Sequence, residues 1–87
     1  MRLARLLLTG PDPATQQTAE LLVDILWTHL EPGHHIEHIT ATATSSGIDL
    51  AVFVSSGVGD PARHARWLVG EIMGQLPSLH QWRCGPD

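Results

Sequence analysis

Leu8-Thr9-Gly10-Pro11-Asp12-Pro13-Ala14 and Ser56-Gly57-Val58-Gly59-Asp60-Pro61-Ala62 carry nearly the same message at two places in the chain. Each follows an apolar run, turns on glycine, and sets Asp-Pro-Ala before a stretch with helical spacing. Asp is a favoured helix N-cap, and proline suits the first helical position. The chain therefore divides into two strand–helix halves, and that division decides the fold.

The remaining elements follow outward from these turns. Residues 2–9 form a short apolar run that predicts a buried first strand. A helix is expected from Asp12 to about Leu30, with Ala19, Leu22, Val23, Leu26 and Leu30 on one stripe and Leu21 and Ile25 on its flanks. Pro32-Gly33 stops it. His34 to Thr44 predicts a second strand, in which Ile36 and Ile39 have opposite parity. A bulge or a late start is expected there. After the turn Ser45-Ser46-Gly47, Ile48, Leu50, Val52 and Val54 alternate with Asp49, Ala51, Phe53 and Ser55, which completes a hairpin. A second helix runs from Asp60-Pro61 to about Leu76 on the stripe Ala65, Leu68, Val69, Ile72 and Leu76. Leu79 to Cys84 closes the chain as a short edge strand, and residues 85–87 are expected to fray.

The order is β-α-β-β-α-β: an α+β, ferredoxin-like two-layer sandwich with two helices on one face of an antiparallel sheet. The expected unit is one domain over residues 1–84. An 87-residue chain buries only roughly 60% of its unfolded surface, so contact with another chain would add useful burial. Such a fold hosts many functions and names none of them.

Composition narrows the classes. The net charge is −4, there is no lysine, and the five basic residues are all arginine. Nucleic acid and anionic membrane both need clustered cations, so neither is an expected partner. No run is long enough to span a membrane. The lack of lysine beside Ala, Gly and Pro points to a GC-rich bacterial source. Cys84 is the only cysteine, which excludes an internal disulfide and fits a reducing cytoplasm.

Chemistry-bearing motifs are few. Neither turn has the glycine and lysine pattern of a phosphate loop, and each puts an Asp where an anion would approach. The densest ligand cluster is Glu31-Pro32-Gly33-His34-His35-Ile36-Glu37-His38. In an extended chain, His35 and Glu37 share a face roughly 6.6 Å apart, whereas His34 and His38 are roughly 13 Å apart. The run offers at most two ligands, and zinc takes three or four. No metal or other cofactor is expected. No nucleophile motif accompanies the histidines, so no catalytic residue is assigned and enzymatic activity is not the favoured reading. The rival class is a small-ligand or enzymatic dimer using His35, His38 or His64.

The more informative residues are apolar ones that miss the core. Arg63, Trp67, Gly70 and Gly74 fall on the outer side of the second helix, and Trp27 falls towards the polar side of the first. Exposed Trp beside Arg is the composition of a binding hot spot, and Gly70 and Gly74 have small-x-x-x-small spacing. These five residues are the expected partner contact. Leu3, Leu7, Ala51 and Phe53 fall on the sheet face opposite the helices, which needs cover, and they are the expected self-contact. The sequence thus predicts a cytosolic protein-interaction module, an adaptor, regulatory or assembly domain that self-associates as a homodimer.

Overall fold

The computed structural model describes residues 2–10 and 15–85. Among these residues the chain forms β1 (Arg2–Thr9), α1 (Gln16–Thr28), β2 (Ile36–Thr44), β3 (Gly47–Val54), α2 (Pro61–Gln75) and β4 (Arg83–Gly85). Short 3-10 turns lie at Pro32–His34 and Pro77–Leu79. The strands make one sheet in the order β2-β3-β1-β4, every neighbouring pair antiparallel. The chain leaves β1 through α1 and returns beyond β3; it leaves β3 through α2 and returns beyond β1. The expected α+β architecture is present.

Alternation sets the two faces of the sheet. Ala4, Leu6 and Leu8 stand opposite Val52, Leu50 and Ile48, and all six are buried. They form one core with Ala19, Leu22 and Leu26 of α1 and with Ala65, Leu68, Val69, Ile72 and Met73 of α2. Both helices therefore lie over the same face. No polar or charged side chain is buried among the described residues.

The parity conflict in β2 is resolved by a bulge. Ile36 pairs with Val54 and His38 with Phe53, which leaves Glu37 without an opposite residue. The extra residue returns Ile39 to the core face, where it is buried beside Val52. At the far end of the hairpin Gly47 has φ 141°, and a Cβ there would run into the Leu8 carbonyl. Only glycine suits both conditions.

Several boundaries differ from the expectation. Asp12 and Pro13 lie outside the described residues, and Thr15 caps α1: its side-chain oxygen accepts from the Thr18 amide at 3.1 Å. The second turn behaves as read, with Asp60 accepting from the Arg63 amide at 3.1 Å and Pro61 at the first helical position. The two halves thus share letters but not the place of the cap. α1 ends at Thr28 rather than Leu30. β2 starts at Ile36, because His34 belongs to the 3-10 turn and His35 is left-handed at φ 62°. The last strand is three residues long: Pro77 starts a 3-10 turn, and only Arg83–Gly85 reach β1. Gly85, expected in the tail, pairs with Leu7; Pro86 and Asp87 lie outside the described residues.

Candidate interaction surfaces

Register builds the open face of the sheet in three rows. His38, Phe53 and Leu3 stand side by side; Thr40, Ala51 and Arg5 come next; Thr42, Asp49 and Leu7 follow. The four residues expected at a self-contact all fall on this face. Leu3 is 49% exposed, and Leu7, Ala51 and Phe53 are half-buried. The His38 ring lies over Phe53 with centroids 5.9 Å apart. The middle of the face is charged: Arg5 reaches diagonally to Asp49 at 2.5 Å. The hydrogen bond and the charge of Asp49 hold the Arg5 guanidinium above its ordinary pKa. The contribution of a cation raised in this way is present below its ordinary pKa and is lost in strong alkali, outside the neutral range.

The outer side of α2 carries Arg63, Trp67, Gly70 and Gly74, all exposed as expected, with Trp67 at 57%. Trp67 is not isolated. Its ring lies 6.4 Å from that of His64, which lies 6.3 Å from that of His35. Nε2 of His64 donates to the His34 carbonyl at 2.6 Å and ties the first turn of α2 to the 3-10 turn before β2. A Cβ at Gly70 or Gly74 would meet nothing within 4 Å, so no internal contact demands these glycines. They border a hollow of about 360 Å³ against Met73, Leu79, Trp82 and Cys84.

Trp27 belongs to a different surface. It is 47% exposed on the side of α1 that faces the β2 edge, and it lines two hollows, one with Leu30, Pro32 and Ile36 and one with Val23, His38 and Ile39. No ring contact or shared hollow links it to Trp67 among the described residues. Of the two tryptophans expected at a partner contact, Trp27 thus borders hollows beside β2 and Trp67 stands beside His64 on α2.

The histidines divide likewise. His35 and His64 meet, whereas His38 lies over Phe53 on the open face. His34 and His35 are not extended, so the face that His35 was to share with Glu37 does not form. Among the described residues no three His, Cys, Asp or Glu gather as metal ligands. Nor is any described helix long and apolar enough to cross a membrane.

Two features had no signal in the sequence. Trp82 packs over Gly10, where a Cβ would come within 2.6 Å of its ring. Gln16 reaches from the start of α1 to the backbone of β2, donating to the Ala41 carbonyl and accepting from the Ala43 amide, each at 3.0 Å. Its partners are far along the chain, and no motif joins them.

No protein family matches the chain, and neither a curated protein nor a solved structure is detectably similar to it.

Proposed function

We propose that this chain is a small protein-interaction module, an adaptor, regulatory or assembly domain, that pairs with a second copy through the open face of its sheet. The observation that carries this reading is the one-sided packing: both helices share one face of four strands, and Leu3 and Phe53 stand opposite each other on the bare one. Apolar side chains in a sheet face without a second layer gain from cover. The Arg5–Asp49 pair limits the cost of closing the face, because charges already paired within one copy are less costly to bury than unpaired ones. A twofold axis is the usual symmetry for such a contact.

The tryptophans support a separate contact with another protein. Arg63 and Trp67 on α2 and Trp27 beside β2 have the composition of binding anchors. The acidic balance and lack of lysine argue against nucleic acid and anionic lipid as that partner. A reducing, cytoplasmic setting fits the lone Cys84. A ligand-binding or enzymatic role for His35, His38 and His64 has less behind it, since only two of the three meet and the His64 Nε2 is already engaged with a carbonyl.

Sedimentation equilibrium tests the self-contact. The chain is expected to be a dimer at micromolar concentration and Leu3→Asp a folded monomer, because Leu3 is half exposed and outside the core. A monomeric wild type at high micromolar concentration would overturn the sheet-face dimer.

A further inference from the structure

β2 is the end of the sheet, so the outer row of its backbone N–H and C=O groups meets no strand. The two bonds made by Gln16 identify that row. In an antiparallel strand successive residues turn their backbone groups to opposite sides. Since the Ala41 carbonyl and the Ala43 amide point outward to Gln16, the Ile39 groups and the Ala41 amide point outward as well. The Gln16 amide thus does at one step what an added strand would do along the whole edge.

Beside this edge runs a groove. Three adjoining hollows of about 420, 220 and 260 Å³ follow α1 from Gln16 to Leu30. The first two share Val23, Asp24 and Ile39, and the last two share Trp27. The wall is apolar at Val23, Trp27 and Leu30, and the floor at Ile36 and Ile39. Its charged residues are Glu20, Asp24 and Glu31, all exposed, and no arginine lines it.

From this conjunction we infer that the α1–β2 groove takes an extended basic segment of another protein, added as a fifth strand along Ile36–Ala41. Backbone bonds to the free edge would give affinity without regard to sequence, and alternate side chains would give selectivity. Those on the helix side meet Val23, Trp27 and Ile39, and then Glu20 and Asp24. An apolar residue followed two positions later by Lys or Arg answers both. Charge decides against a second copy here, because joining two β2 edges would bring two acidic rims together. This goes beyond the sheet-face self-contact, uses another surface, and stands on its own test.

The test is an amide NMR titration of the labelled protein at low salt. The probe is a hexapeptide with valine at its second position and lysine at its fourth in a threonine background, so that both side chains share one face, and the same peptide with glutamate in place of the lysine is the control. The lysine peptide is expected to shift the amides of Ile39 and Ala41 and to protect them from exchange, while the control leaves them unmoved. The double variant Glu20→Gln, Asp24→Asn, in which both sites are exposed, should weaken binding about tenfold and flatten its salt dependence. No shift along β2 up to millimolar peptide, or equal binding of both peptides, would overturn the inference. So would exchange protection of the outward Ile39 and Ala41 amides that grows with protein concentration alone, since the edge would then be taken by a second copy. Self-contact through the open face reads at Leu3 and Phe53 instead, so the two readings fail separately.

Discussion

Glycine in the interior of a helix weakens it by roughly 0.5–1 kcal/mol relative to alanine, chiefly through chain entropy. Gly70 has open space where a Cβ would stand, so nothing within one copy offsets that loss. Gly70→Ala is expected to raise the melting temperature by about 4 °C, given that roughly 1 kcal/mol moves a domain of this size by 4–8 °C. In the same thermal melts Trp67→Ala should fall by no more than about 1 kcal/mol, because its ring touches His64 and is otherwise half in solvent. A drop of several kcal/mol, the size expected for a buried Leu such as Leu50, would show that Trp67 holds the fold rather than a partner. Gly10 is the opposite case. There the Trp82 ring fills the space, and any side chain must displace it.

The two helix starts show how far letters alone reach at the level of elements. Asp60 before Pro61 caps α2 as the sequence indicates, since Asp-Pro-Ala needs only local geometry to act. At the first turn the same letters are present, yet Thr15 takes the cap, because α1 starts at Gln16. Thr15→Ala and Asp60→Ala should each lower stability by about 1 kcal/mol in denaturant unfolding. An unchanged midpoint for Thr15→Ala would mean that α1 is held by other contacts. Strand alternation was fully legible for Ile48 to Val54, and the bulge was readable from the clash of Ile36 with Ile39. The closing edge strand was legible too, but its start was not, because Pro77 to Leu79 form a 3-10 turn in which Leu79 packs into the core. The open sheet face could be read from period-two patterning, whereas the α1–β2 groove depends on which helix covers which strand. Gln16 and Val23 therefore gave no warning of their role, and Trp27 was visible only as a misplaced ring.

At the scale of the whole molecule, a radius of gyration of 12.0 Å leaves little interior, and the core is a single layer of side chains between the sheet and the two helices. If a second copy closes the open face, folding and association are linked, and the melting temperature should rise by several degrees over about a hundredfold increase in concentration. A melting temperature independent of concentration would mean that each copy is stable alone. The strand order has a further consequence, for the path by which the chain reaches this state. β2 and β3 meet across Ser45-Ser46, whereas Arg2 must find Val54 over most of the chain's length. Closing the short hairpin sacrifices little chain freedom, and closing the long loop sacrifices much more. The hairpin is thus the natural seed, and β1, the first strand to be synthesised, waits for the third before it has a neighbour.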